Sequence, residues 1–257
     1  MENILNIKTQ KIIAYLNDLL KPWSIKDYAP NGLQVEGKSH VSKIITGVTA
    51  SEALIDAAIA EQADAILVHH GYFWRSEEPA IVGMKKQRLK KLLAQDINLL
   101  AYHLPLDIHP ELGNNAQLAK LLDIQIQRPL EPWNQQSVAL KGRFKEPISG
   151  EALSQRIFQC LGRTPLYHSG YKEKISTVAW CTGGGQHFIE LAASQGIDAF
   201  ITGEVSEQTI HVSREMGIHF FAAGHHATER YGVKALGEHL AAHFDIEVIF
   251  VDIDNPA

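Results

Sequence analysis

Residues 63–71, ADAILVHHG, decide the fold. The segment passes from Ala63 and Asp64 through Ala65, Ile66, Leu67 and Val68, then ends on His69 and His70 before Gly71. A short apolar run closed by a turn residue reads as a buried strand of a parallel sheet. In open α/β sheets, ligands collect beyond the carboxyl ends of strands, where these two imidazoles stand. On a regular strand, neighbouring side chains point to opposite faces. Gly71 ends the pleat, so both rings can project into one site. The alternative is one core histidine and one surface histidine.

Upstream, Ile44–Val48 reads as a strand, and Ser51 is placed to cap a helix from Glu52 to about Gln62. With the histidine strand this completes a strand–helix–strand unit. Further upstream, residues 4–20 set Ile4, Leu5, Ile7, Ile12, Ile13, Leu16, Leu19 and Leu20 near helical spacing, and Pro22 ends the run. DYAPNGLQVEG follows, with Pro30-Asn31-Gly32 as a turn and Leu33–Val35 as the start of a strand. Downstream, Met84–Asp96 reads as a helix with an apolar stripe and five basic residues between 85 and 91. That basic face is expected to be solvated; the alternative is a surface for phosphate or nucleic acid. Ile97–Tyr102 is the next strand, ending in HLPLDIHPELGNN, where His103, Asp107 and His109 gather, and a helix follows over about 115–122. Between 129 and 174 the pattern weakens to a strand near 137–144 and a helix near 151–161.

The pattern then returns. Residues 176–204, STVAWCTGGGQHFIELAASQGIDAFITGE, echo residues 42–70, SKIITGVTASEALIDAAIAEQADAILVHH. Thr46-Gly47 answers to Thr182-Gly183, Asp64-Ala65 to Asp198-Ala199, and INLLAYH at 97–103 to IHFFAAGHH at 218–226. The expected fold is therefore α/β, with two similar α/β domains related by an internal repeat and a metal site in the cleft between them. The expected division is 1–128 plus 217–257 for the first, discontinuous domain and 129–216 for the second.

Composition fits an ordinary globular chain: 257 residues, 45% hydrophobic and 21% charged. A formal net charge of −5 disfavours general nucleic-acid binding. The start MENILNIKTQ has no signal-peptide pattern, and no apolar run approaches the roughly 18 residues of a membrane helix. A cytoplasmic protein is expected. The two cysteines, Cys160 and Cys181, lack metal or disulfide spacing and read as buried small hydrophobes.

The chemistry lies in the histidines. AGHHATERYG at 223–232 opens a helix on which His225 and Glu229 share a face at i,i+4; His226 and Glu229 are neighbours at i+3, so spacing leaves both histidines open. The clusters at His69/His70, at Asp107 and at His225/Glu229 together offer more ligands than one tetrahedral site with an open position can use. They suit two metal ions bridged by a carboxylate and a water. Without thiolates the ions can be zinc, iron, manganese or nickel. Asp107 is the expected bridge, with Glu229 the alternative. His103 and Glu204 are candidate acid–base groups, each with a purely structural alternative. Tyr72, Phe73 and Trp74 are candidates for stacking on a base or for the core. Gly183–Gly185 precede a helix and are a weak candidate for holding phosphate.

The motifs DYAPNGLQVEG, ITGVTAS, DAILVHHGYFW, HLPLD, ELGNNAQLA, WCTGGG, DAFITGE and GHHATER together resemble the Nif-three-like family of dinuclear metal-binding proteins, many of which carry the label GTP cyclohydrolase I type 2 homologue. The resemblance spans nearly the whole chain. It implies two related α/β domains, a toroidal homohexamer, two metal ions per subunit, and ligands at His69, His70, Asp107, His225 and Glu229, choosing His225 over His226. The chain lacks the large insertion that many relatives carry between the halves. The resemblance supplies no single reaction; the leading expectation is a dinuclear metal-dependent hydrolase acting on a nucleotide or related heterocycle, with damaged nucleotides among the candidate substrates. The rival expectation is a metal-binding ring-shaped scaffold, or a nucleic-acid-binding protein, without turnover.

Overall fold

The computed structural model describes residues 6–257 and divides into two compact units. One runs to Gly113 and resumes over Gly232–Asp254; the other comprises Asn114–Tyr231 with Asn255–Ala257. These limits differ from the sequence division at 128/129 and 216/217. Leu118 on helix Asn114–Leu121 packs into the second unit's core, and strand His219–Ala222 pairs with Ala199–Thr202. Residues 114–128 and 217–231 therefore fold with the second unit.

In the first unit, Lys43–Thr49 (β1), Glu52–Ala60 (α1), Ala65–His70 (β2), Gly83–Ala94 (α2) and Asn98–Ala101 (β3) alternate, and the three strands are parallel. Glu247–Phe250 adds a parallel strand beside β1, and Gly32–Val35 an antiparallel one beside β3, giving a five-stranded sheet. Ser51 caps α1 by accepting from Leu54 N–H, as the sequence suggested. Alternation along the strands fills a core on each face. Ile44, Leu67 and Leu100 pack with Leu16, Val233, Leu236 and Leu240, while Ile45, Ile66 and Leu99 pack with Leu54, Ile55 and Leu92. Burial on both faces is why β2 shows an unbroken apolar run.

In the second unit, Ile175–Cys181 (β4), Ile189–Ser194 (α3), Ala199–Thr202 (β5), Glu207–Met216 (α4) and His219–Ala222 (β6) form another parallel trio with its helices. Antiparallel strands Gln125–Pro129, Leu140–Ile148 and Leu166–His168 extend it to six strands. Val178, Trp180 and Phe221 face one core; Ala179, Phe200 and Phe220 face the other. Counted from Asp64 and Asp198, the ladder position matching Thr46 is Trp180 rather than Thr182, because Thr46 lies opposite Leu67 and Trp180 opposite Ile201. The helix His225–Phe244 (α5) begins in the second unit and continues into the first.

The amino-terminal helix is shorter than its apolar pattern. Ile7–Lys8 pairs as a strand with His40–Val41, and the helix spans Thr9–Leu20, burying Ile12, Leu16 and Leu20. Ile4 and Leu5 lie outside the described residues. Cys181 is buried, but Cys160 is only half-buried and donates to the Leu121 carbonyl. No helix among the described residues is long and apolar enough to cross a membrane.

Candidate metal centre

The first unit builds its donor cluster from the ends of two adjacent strands. The register that sets Ala101 opposite Val68 continues one step, with Tyr102 N–H donating to the Val68 carbonyl, and brings His103 level with His70. Chain direction changes immediately after the histidines. A Cβ on Gly71 would stand 2.1 Å from Gln34 Oε1 and 2.7 Å from Ala101 Cβ, so this turn demands glycine. Gln34 holds it, accepting from Tyr72 N–H and donating to the Tyr72 carbonyl.

The His69 and His70 rings lie 4.5 Å apart between centroids, and the His103 ring is 5.1 Å from the first and 5.8 Å from the second. One ligand atom from each falls within 4.8 Å of the others. Each Nδ1 is bonded on its far side: His69 to the Tyr102 carbonyl at 3.0 Å, His70 to Thr49 Oγ1 at 3.1 Å, and His103 to Asp27 Oδ1 at 2.9 Å. Such contacts fix ring orientation and tautomer in metal-binding histidines. Asp107, buried at the end of the short helix Leu104–Asp107, puts Oδ1 3.6 Å from His69 Nε2.

Asp27 escaped the sequence reading. It stands in DYAPNG, a stretch legible as a turn, and its partner His103 is 76 residues away, with no spacing signal to join them. Its carboxylate also accepts from Tyr28 N–H, Leu104 N–H and the Asn31 amide. Burial works against its charge, but the His103 ring, Asn31 and Leu104 outweigh that and lower its pKa to about 2.

In the second unit His225 and Glu229 occupy the first turns of α5, with His225 Nε2 3.2 Å from Glu229 Oε2. Glu204, just past β5, places Oε1 2.7 Å from His225 Nδ1. Burial opposes protonation of this imidazole, yet Glu229 and Glu204 together raise its pKa to about 9. His226 is buried, and its backbone N–H donates to the Ala257 carbonyl. Gly183 brings its backbone against this pair: a Cβ there would lie 2.0 Å from Glu229 Oε1 and 3.0 Å from His225 Nε2. The glycine run is no phosphate cradle. Gly183 and Gly185 give their N–H groups to the hydroxyls of Thr228 and Thr202.

The remaining candidates divide. Tyr72 belongs to the core, its hydroxyl donating to the Ala50 carbonyl. Trp74 stands edge-on to His103 at 5.0 Å, and so does Tyr28 at 5.0 Å. Phe73 is exposed. In α2 the basic face is partly neutralised, with Lys85 near Glu77 and Lys91 between Glu52 and Asp56.

Imidazole and carboxylate donors without thiolate, several buried and orientated from behind, fit a divalent transition ion. The family model described as Duf34/NIF3 (NGG1p interacting factor 3) matches residues 7–256. The chain belongs to the Duf34/NIF3 family. A Pasteurella multocida relative named GTP cyclohydrolase 1 type 2 homolog is 63% identical over 243 residues, covering 94% of this chain and 96% of its own. Among solved structures, protein ybgI, described as of unknown function, superposes with a TM-score of 0.93 at 56% identity, covering 98% of this chain and all 100% of its own. TTHA1606 from Thermus thermophilus gives a TM-score of 0.88 at 37% identity, with 98% and 100% covered. The motif resemblance is thus borne out: this Duf34/NIF3 chain shares the mixed α/β fold of its relatives over nearly its full length.

Proposed function

We propose that this chain is a dinuclear metal-dependent hydrolase acting on a nucleotide or a related heterocycle, as the name shared by its relatives suggests. The observation that carries the reading is the donor cluster of the first unit: three orientated imidazoles with ligand atoms within 4.8 Å, and Asp107 beside His69. In this proposal His69, His70, Asp107, His225 and Glu229 hold two divalent ions. The units themselves are read as copies of one β-α-β-α-β element. When bound, such a pair supplies a hydroxide nucleophile near neutral pH and Lewis acidity at the attacked group. Asp107 is assigned the bridging position. Glu204 is assigned to orientating His225, because its carboxylate already meets Nδ1. Trp74 and the exposed Tyr28, both against His103, offer aromatic surface for a heterocycle. The toroidal homohexamer belongs to the same proposal, and Ile81, Val82 and Met84 are exposed apolar side chains available for self-association.

Elemental analysis tests the centre. About two metals per chain are expected in the wild type, with a clear loss in Asp107→Ala and in the paired His69→Ala/His70→Ala variant. A screen of nucleotides, formamidopyrimidines and phosphoesters with each reconstituted metal tests the reaction. Absence of turnover across it would overturn the hydrolase reading in favour of a metal-binding scaffold.

A further inference from the structure

We infer that the open face of the hairpin formed by strands Gln125–Pro129 and Leu140–Ile148 binds single-stranded nucleic acid, with Arg128, Lys141, Arg143 and Lys145 meeting phosphates and Trp133 stacking on a base. The inference goes beyond the hydrolase reading and does not rest on it, because every residue concerned lies at the edge of the second unit's sheet and none in a donor cluster.

Three observations carry it. The first is charge. Between Gln125 and Lys145 four basic residues stand against one acid, Glu131, whose carboxylate accepts from the Asn134 amide. Among the described residues none of the four basic side chains forms an ion pair. The formal charge of −5 belongs to the first unit, since the second has eleven Lys and Arg against eleven Asp and Glu. A basic edge is therefore compatible with an acidic chain.

The second is alignment. Lys141, Arg143 and Lys145 alternate with Gly142 and with Phe144, which packs into the core beside Leu153 and Ile157, so the three basic side chains share the other face. The ladder sets Arg128 directly across from Lys141, and Lys141 Nζ donates to Gln195 Oε1. Like charges directly opposite on adjacent strands are destabilising, and an anion between them relieves the repulsion. Burial and the neighbouring Arg128 charge both lower the Lys141 pKa, a strain of the same origin. Successive basic residues on one strand face stand about 6.7 Å apart, near the step between phosphates of an extended single strand.

The third is the aromatic at the tip. Trp133 lies in the loop closing this hairpin and is 68% exposed. Leu130 N–H donates to the Ala139 carbonyl, continuing the ladder past Pro129 and Leu140, so the loop adjoins the Arg128/Lys141 pair. A basic track beside an exposed aromatic is the combination that single-strand binders use. A duplex keeps its base faces covered, and an acidic peptide has no base to stack. Access is open, because Gln125–Pro129 is the last strand of its sheet and is exposed throughout.

The test is fluorescence anisotropy on the full chain with labelled oligothymidylate of about 16 nucleotides. A duplex of equal length and polyglutamate serve as competitors. Binding of the single strand is expected, with log affinity falling against log salt at a slope of about −2 to −3, from three or four phosphates at about −0.7 each. Arg143→Gln/Lys145→Gln should weaken binding about tenfold or more and reduce the slope by about 1.4. Trp133→Ala should weaken it about 5- to 100-fold without changing the slope, and Trp133→Phe should restore most of the loss. Urea midpoints equal to the wild type's would show that these exposed substitutions leave the fold intact. No binding at low salt, or an affinity indifferent to all three variants, would overturn the inference. Tighter competition by the duplex would overturn the single-strand assignment, and tighter competition by polyglutamate would replace nucleic acid with an acidic protein segment.

Discussion

In the first unit the Asp64 carboxylate accepts from Ser42 and Lys43 N–H and pairs with Lys38; in the second, Asp198 accepts from Ser176 and Thr177 N–H and pairs with Lys172. One strand over, Asn98 ties down the loop at Gly37 and Lys38, and His219 ties down the loop at Gly170 and Lys172. The amino ends of the two parallel trios are thus braced by the same device. Their carboxyl ends diverge. β2 ends on His69 and His70, backed by a carbonyl and a hydroxyl, whereas β5 leads to Gly203 and Glu204, whose carboxylate backs a histidine supplied by α5. The difference separates two tasks. The aspartate brace serves the sheet, because it satisfies strand-start N–H groups that would otherwise be buried without partners. The carboxyl ends are spared that work and gather the imidazole and carboxylate donors.

That contrast can be broken most forcefully at Gly183. Its φ of +63° and the 2.0 Å approach of a Cβ to Glu229 Oε1 leave no room for a side chain. Gly183→Ala is expected to destabilise the protein by about 3 kcal/mol and to displace Glu229. Urea unfolding and metal content read the two effects together, and an unchanged metal content would show that the close approach is incidental.

The braces come next. Asp64→Asn and Asp198→Asn should each cost about 2 kcal/mol, with metal stoichiometry intact. Both carboxyls lie below their usual pKa: burial pushes them up, but Lys38 with Ser42, and Lys172 with Thr177, pull them further down. A carboxylate depressed in the folded state contributes stability above its unfolded pKa of about 3.9, and that contribution is lost as pH falls through the folded value. Stability of the wild type should therefore decline below about pH 4, and the doubly substituted protein should show a shallower acid slope. Equal slopes in denaturant titrations across pH 5 to 2.5 would remove the braces from the account.

Smaller effects sharpen the carboxyl-end comparison. Glu204→Gln keeps a hydrogen-bonding group on His225 but removes the charge, and should lower metal affinity tenfold or somewhat more. Thr49→Val, which strips only a neutral hydroxyl from His70, should lower it a few-fold. Chelator competition on both variants orders them, and the reverse order would mean that backing charge is not what distinguishes the two units' histidines.

Much of this was legible in the chain itself. The apolar run into His69 and His70 announced a doubly covered parallel strand, Ser51 announced a cap, and His225 with Glu229 announced a shared helix face. Each signal is local, carried by a few consecutive or i,i+4 residues. Register was less legible. The sequence echo sets Thr46 against Thr182, whereas counting along the ladders from Asp64 and Asp198 sets it against Trp180, because a two-residue slip in a strand keeps the inward–outward alternation and leaves the apolar pattern unchanged. The units' limits differ from the sequence division for a related reason: residues 114–128 and 217–231 have helix and strand patterns that do not say against which sheet they pack.

Sequence by itself determined the α/β class, the family, and the residue types able to bind metal, since periodicity, capping and motif identity are properties of short segments. Only the tertiary structure decided that His103 stands level with His70, that Asp27 braces it from 76 residues away, and that the glycines at 183 and 185 serve close packing. Those outcomes depend on which strand ends adjoin and how near two backbones come, and no stretch of chain encodes such distances alone.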